Sequence, residues 1–503
     1  VTNPLFDSLV APLALRDGTF IIDSAGRETS GRDFHAMALS FASTLTRLGL
    51  KPGDRMAVQV EKTPEALALY CAALAAGIIF LPLNTTYTTE EVSYFVSDAG
   101  AALLVGDPAK TESLAPLAES HGARFETLDR KGKGSLRDKA DSTATDFRPV
   151  DRGPDDLAAI LYTSGTTGRS KGAMLTQNNL LSNAEVLVKE WRFDSRDVLL
   201  HALPIFHTHG LFVACNTVML SGGTMIFLPG FKTDEVIRWL PKATTMMGVP
   251  TFYTRLLDSP AFTRELVAHM RLFTSGSAPL LAETHRQFEE RTGHRILERY
   301  GMTETNMNTS NPYDGERRAG TVGFPLPGVE LKITNPETGA TLPARQPGMI
   351  EVRGPNVFKG YWQMPEKTKE ELREDGFFIT GDIGVIDEDG YVTIVGRAKD
   401  LIITGGYNVY PKEIELILDE QPGVLESAVI GVPHPDFGEG VVAVLVPKPG
   451  EKIDLETIRE AMARQLARFK QPKHIAIVDE LPRNTMGKVQ KNVLRQQFKD
   501  LFA

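Results

Sequence analysis

The sequence predicts an α/β protein with a large N-terminal domain of α/β layers, a small β subdomain and a small α+β C-terminal domain. Three observations carry this. Helical and strand patterns alternate over residues 1 to about 130, which implies a mostly parallel sheet covered by helices. From about Gly328 the texture changes to short strands with frequent turns. The final stretch, roughly 100 residues, alternates helices and strands again, enough for a separate small domain. The expected boundaries are 1–396 for the large domain, with the β subdomain at about 328–396, and 397–503 for the small one.

In chain order, apolar residues on one face predict a helix over Phe34 to Leu48, and Arg55 to Val60 reads as a strand. The uncharged run Ala66 to Leu83 reaches the lower edge of a membrane span, about 18 residues. It is alanine-rich, is broken by Gly77 and Pro82, and lacks flanking basic anchors. It therefore reads as a buried helix, Pro64 to Ala76, followed by a buried strand, Ile78 to Leu83. A helix near Thr89 and a strand at Ala101 to Val105 follow, then a polar connection from Asp129 to Asp156. A helix is predicted over Asn178 to Glu190. Leu272 to Leu280 reads as a strand into a small-residue turn, and Ile296 to Glu304, which carries Glu298-Arg299-Tyr300-Gly301-Met302-Thr303, again as a strand into a turn. Ligands bind at such carboxyl ends. In the β subdomain Met349 to Val352 and Val385 to Ile394 read as strands. The last part holds helices at Pro411 to Asp419 and Leu455 to Ala467, with strands at Ser427 to Gly431, Val441 to Val446 and His474 to Val478.

The 503 residues carry a net charge of −9 without a basic block, which argues against nucleic acid or an anionic membrane as partner. Two cysteines in apolar company, Cys71 and Cys215, read as reduced side chains of a cytoplasmic protein. The sequence leaves oligomeric state open. His207 and His209 form a weak metal pair, with no cysteine or acidic residue at ligand spacing.

The most informative stretch is Leu161 to Gly172. A short apolar strand leads into Thr163-Ser164-Gly165-Thr166-Thr167-Gly168-Arg169-Ser170-Lys171-Gly172. Glycines turn backbone N–H groups toward an anion, hydroxyls add donors, and Arg169 and Lys171 add charge. Such a loop suits a polyphosphate. It is not the loop of kinases and GTPases, whose lysine follows a glycine directly.

This loop resembles the signature of the AMP-forming acyl-CoA synthetases, a superfamily that includes luciferases and peptide-synthetase adenylation domains. The likeness extends to Val249-Pro250-Thr251, Tyr300-Gly301-Met302-Thr303-Glu304, Thr380-Gly381-Asp382, Gly396-Arg397-Ala398-Lys399-Asp400 and Gly487-Lys488. It implies that Ser277, Ala278 and Pro279 border adenine and that the Tyr300 ring stacks on it. Thr303 would meet the α-phosphate. Glu304, with Thr163, would hold Mg2+. Asp382 would accept from the ribose hydroxyls, and Arg397 would contact ribose and phosphate. Glu298, Arg299 and Gly301 complete the expected ATP/AMP set, with Ser164, Gly165, Thr166, Thr167, Gly168 and Lys171 of the loop. Lys488 would be the catalytic lysine, Lys399 the pivot of a mobile C-terminal domain, and Gly405 and Gly406 the wall of a coenzyme A tunnel. His207, Ser277 and Met302 would line the acid pocket, while His209 reads as structural.

Arg255 sits among Phe252, Leu256 and Leu257. By pattern alone it is an arginine snorkelling to the surface. Within the family, however, the chain is similar to the malonate-activating members, and there an arginine at this place pairs with the second carboxylate. The resemblance thus implies ATP-dependent ligation of malonate to coenzyme A through a malonyl-adenylate, with AMP and pyrophosphate released and methylmalonate as a further candidate acid. Other readings are a synthetase for another small carboxylic acid, an adenylation domain serving a separate carrier protein, and a luciferase-like oxygenase.

Overall fold

The computed structural model describes residues 2–140, 146–163, 170–405, 407–484 and 487–502. The predicted loop residues Ser164, Gly165, Thr166, Thr167 and Gly168, and Gly406, lie outside the described residues. Among these, the chain forms four sheets.

The first is six-stranded, in the order Arg124–Thr127, Leu103–Gly106, Arg55–Gln59, Ile79–Pro82, Leu157–Thr163, Lys171–Thr176. Its pairs are parallel except the last, where Leu157–Thr163 turns back antiparallel into Lys171–Thr176. The second is nine-stranded. Its parallel centre runs Leu297–Met302, Leu272–Ser275, Thr245–Gly248, Val198–His201, Thr224–Phe227, Thr19–Asp23. An N-terminal strand, Thr19–Asp23, thus crosses into the second sheet instead of joining its sequence neighbours in the first.

One core holds side chains from both sheets, among them Met56 and Leu103 from the first and Ile21, Leu199 and Phe273 from the second. The helix Pro64–Ala76 is buried from Ala66 onward within it, so its lack of charge reflects burial on all sides. Thr63 caps it, its side chain accepting from the Ala66 N–H, and Gly77 ends it at φ 67°. No helix among the described residues is long and apolar enough to cross a membrane.

An antiparallel four-stranded sheet (Glu330–Thr334, Gly348–Arg353, Phe378–Ile386, Val392–Arg397) follows. The strand expected over Val385 to Ile394 is here a hairpin. Asp387 accepts from the Asp389 and Tyr391 N–H groups, which closes a turn between two strands. The last sheet is built on Val424–His434 and Gly438–Pro447, with His474–Ile477 parallel at one side. Apolar clusters flank it on both faces, one around Ile414, Leu418 and Ile458, the other around Leu481 and Leu494.

Candidate active site

Four neighbouring parallel strands place their carboxyl ends on one edge of the second sheet. Val198–His201 leads to His207 and His209, Thr245–Gly248 to the helix Pro250–Leu257, Leu272–Ser275 to Ser277, and Leu297–Met302 carries the central residues. This last strand runs into a turn as expected, with Arg299, Tyr300 and Gly301 still inside the strand, and it doubles back onto Asn306–Ser310 with only residues 303–305 between. Gly301 is required there: a Cβ would sit 2.0 Å from the Asn306 carbonyl oxygen.

Alternation along the strand sends Glu298 and Tyr300 to one face and Arg299 to the other. On the first face the Tyr300 hydroxyl donates to Asp382 Oδ2 at 2.5 Å, and Arg397 Nε lies 3.4 Å from Asp382 Oδ1. Asp382 and Arg397 are cross-strand partners. Burial and the Asp382 charge push the Tyr300 phenol well above its usual range, so it stays a donor. Glu298 is buried and is lifted to about 8 by burial. It accepts the Gly320 N–H at 3.0 Å, a contact that holds the chain itself.

On the second face the Arg299 guanidinium is 3 % exposed, and its Nε and Nη2 have no hydrogen-bond partner among the described residues. Gly276 makes room for it, since a Cβ there would lie 2.3 Å from the guanidinium. Burial lowers Arg299 to about 9, which still leaves it charged at neutral pH. His207 is lowered to about 3 by burial and then by the charges of Lys488 and Arg299. Its Nδ1 accepts the His209 N–H at 3.3 Å, so the neutral ring carries its proton on Nε2. His209 places Nδ1 3.1 Å from Ser277 Oγ, and its Nε2 has no partner among the described residues. Ser277 takes a positive φ of 71°, unusual for a residue with a side chain.

Lys488 reaches this cleft from the small domain. The Asn484 Oδ1 accepts its N–H at 2.9 Å, and the Gly487 Cα faces Thr251 at the start of the helix Pro250–Leu257. Burial, then the nearby Arg397, lowers Lys488 to about 8, while Asp382 and Glu304 oppose the shift.

A third group lies below. Glu304 is 6 % exposed, and its described side-chain partner is the Tyr361 hydroxyl at 3.0 Å. Burial raises its carboxyl above the usual range. Lys171 Nζ sits 3.2 Å from Glu371 and 4.4 Å from the Tyr361 ring centroid. Thr163 ends its strand with its Oγ1 3.5 Å from the Lys171 carbonyl oxygen. No group of three His, Cys, Asp or Glu suited to a metal occurs among the described residues.

Thr303 and Met302 are partly buried where this strand ends, and Ala278 is partly buried and Pro279 exposed after the strand Leu272–Ser275. Lys399 is exposed beside Arg397, and Gly405 is exposed with a left-handed φ of 58°. Arg255 is exposed, as the pattern reading of an arginine snorkelling to the surface expects, 6.0 Å from the Phe231 ring and with no ion pair among the described residues, so nothing in the described structure encloses it for a second carboxylate. The helix is too short and too near the surface to bury it, and Phe252, Tyr253 and Leu256 take the inward positions. Reading the sequence left His209 as structural and did not single out Gly276, Tyr361 or Glu371. The first two lie in stretches already marked; the other two carry no local signal.

The AMP-binding enzyme family matches residues 13–362, and the AMP-binding enzyme C-terminal domain matches 413–488. The chain belongs to the AMP-binding enzyme family. Among solved members, ATP-bound MatB from Rhodopseudomonas palustris is 58 % identical over the whole of both chains, with a TM-score of 0.98. The malonate–CoA ligase of Arabidopsis thaliana is 37 % identical over 90 % of this chain and 79 % of its own. A feruloyl-CoA synthase from Amycolatopsis is also 37 % identical, over 91 % of each chain. Identity at that level therefore assigns AMP-forming acid–CoA ligation but does not by itself choose the acid. The choice rests on the pocket.

Proposed function

We propose that this enzyme joins malonate to coenzyme A at the cost of ATP, releasing AMP and pyrophosphate. The observation that carries the acid is Arg299. A buried guanidinium whose Nε and Nη2 find no partner among the described residues is expensive unless an anion arrives to pair with it. A short diacid supplies that anion at its far end and still presents its near carboxylate to ATP. A planar guanidinium can take a carboxylate bidentately, a contact of about 1.5–3 kcal/mol. A monoacid would leave Arg299 buried and unpaired. Similarity to malonate–CoA ligases supports the same acid.

In this reading a malonate oxygen attacks the α-phosphorus and pyrophosphate leaves. Lys488, inside the cleft, sets its charge against the phosphate oxygens of that transition state. Asp382 and Arg397 take the ribose, Tyr300 faces the base, and the 163–172 loop takes the polyphosphate. Mg2+ would be held by Glu304, a buried carboxylate whose described side-chain partner is a neutral hydroxyl, with Thr163, and would offset charge on the phosphates. In the second step the thiol attacks the adenylate carbonyl and AMP departs. Lys488 must withdraw for that, by a swing of the 397–503 domain about Lys399 that brings Gly405 and Gly406 to the cleft. His207, His209 and Ser277, neutral and close to Arg299, shape the acid pocket, with Met302 at its edge. Methylmalonate differs by one methyl, worth only about 1–3 kcal/mol, and remains a second candidate acid. Free, buried Cys71 and Cys215 suit a reducing compartment such as the cytoplasm.

The test is a panel of malonate, methylmalonate, succinate, acetate and ferulate, read by AMP and thioester formation. Malonate should lead. Production of ADP, or preference for a monoacid, would overturn the assignment.

A further inference from the structure

The segment 358–371 touches both parts of the polyphosphate region. Its first residues pair with the strand that leaves the loop: Met174 N to Gly360 O at 2.9 Å, Lys359 N to Met174 O at 2.9 Å, and Trp362 N to Gly172 O at 2.7 Å. Phe358 N donates to the Glu304 carbonyl at 2.8 Å, and the Trp362 indole N–H anchors the segment to Asp98 O at 3.0 Å. From this strap two side chains reach into the site. Tyr361, 2 % exposed, turns its ring to the Lys171 ammonium and its hydroxyl to both Glu304 and Glu371. Glu371 holds Lys171 at 3.2 Å and Lys367 at 3.0 Å.

Lys171 and Glu304 carry opposite charges in a half-buried site. Left alone they would pair, and each would cancel what the other offers: a cation to the polyphosphate, a carboxylate to its metal ion. We propose that Tyr361 and Glu371 are positioning residues that hold Lys171 apart from Glu304 and keep both ready for MgATP. Glu371 supplies a competing anion for Lys171, and Tyr361 meets Lys171 with its ring and Glu304 with its hydroxyl. The hydroxyl has one proton for two carboxylates, so it couples the position of Glu304 to that of Glu371.

This rests on the nucleotide site assigned above, but not on the acid. The experiment is calorimetric binding of MgATP without malonate or coenzyme A, on Glu371→Gln, Tyr361→Phe, Lys171→Gln and the Glu371→Gln/Lys171→Gln pair. Thermal melting confirms that each is folded. Glu371→Gln should weaken MgATP about tenfold, the loss of one charged contact, and Tyr361→Phe less. In the Lys171→Gln background the Glu371 change should add nothing, because there is no lysine left to restrain. A merely structural role predicts additive losses instead. Additivity, or MgATP binding by both Glu371→Gln and Tyr361→Phe within about twofold of wild type, would overturn the proposal. Wild-type protein that binds MgATP but ignores malonate would refute the assigned reaction and leave this test intact.

Discussion

The two faces of the strand Leu297–Met302 handle polar groups in opposite ways. On the Tyr300 face every contact is made in advance: phenol to Asp382, Asp382 to Arg397. On the Arg299 face its Nε and Nη2, and the His209 Nε2, have no partner among the described residues. The difference matches what each side would receive. A base and a ribose are neutral and need fixed, already oriented groups. A carboxylate brings its own charge, and an unsatisfied guanidinium gives it a reason to bind. In the proposed reading, the unpaired groups lie where the acid would be selected.

The sharpest way to break this contrast is Arg299→Gln. It keeps a polar side chain and removes the charge. Malonate kcat/KM should fall about a hundredfold, while MgATP binding stays within a few-fold of wild type. Equal losses for both substrates would place Arg299 with the nucleotide, as the sequence suggested.

Much of the fold was legible in the chain. Of the candidate site, the turn at Ser277 and the Thr-Gly-Asp at Asp382 stand out because small and polar residues at a strand end are a local pattern, while the loop residues Ser164 to Gly168 lie outside the described residues. The helix Pro64–Ala76 was legible to the residue because Thr63, Pro64 and Gly77 mark both ends. The two arginines were not separable. Arg255 lies near Phe252, Leu256 and Leu257, and Arg299 between Glu298 and Tyr300, yet the first is exposed and the second 3 % exposed. What decides is the element each sits on and the room left by Gly276, which follows another strand. Glu371 was invisible for the same reason: its partner Lys171 is 200 residues away.

A second test uses pH. Lys488 sits at about 8 in the free enzyme, lowered chiefly by burial. Its charge is present below that value and lost above it. Adenylation, followed as kcat/KM for ATP, should therefore fall about tenfold per pH unit on an alkaline limb near 8. With ATP bound, the phosphate charge favours the ammonium, so the limb in kcat should move higher. Thioester formation from supplied malonyl-adenylate should lack this limb. If both half-reactions share it, the titrating group is not Lys488.

Arg255→Ala should do much less than Arg299→Gln. An exposed guanidinium is screened, so a loss of about two- to fivefold in malonate kcat/KM is expected. Arg255 lies one turn beyond Thr251, on the side that meets Gly487. Its remaining influence would act at the seam with the small domain, and steady-state kinetics with varied malonate would measure it. A hundredfold loss here would make Arg255 the second-carboxylate partner after all.

The smallest effect concerns Glu298, on the face where contacts are already made. Its folded value is raised to about 8 from 4.5 by burial, with the Gly320 N–H opposing the shift. A raised value means the folded state favours the proton. The associated stability is complete below about 4.5 and is lost as pH climbs toward 8. Glu298→Gln cannot ionise and escapes that loss. Melting curves of the two proteins should lie together at pH 5 and separate by pH 9, with the variant the more stable. At pH 7 the variant should keep its KM for MgATP, because the contact Glu298 makes is to the Gly320 backbone. Melting curves that stay parallel would show that the carboxyl is ionised in the folded protein. A raised KM for MgATP would instead put Glu298 against the nucleotide, and the paired face would then hold one more ligand group than its hydrogen bonds reveal.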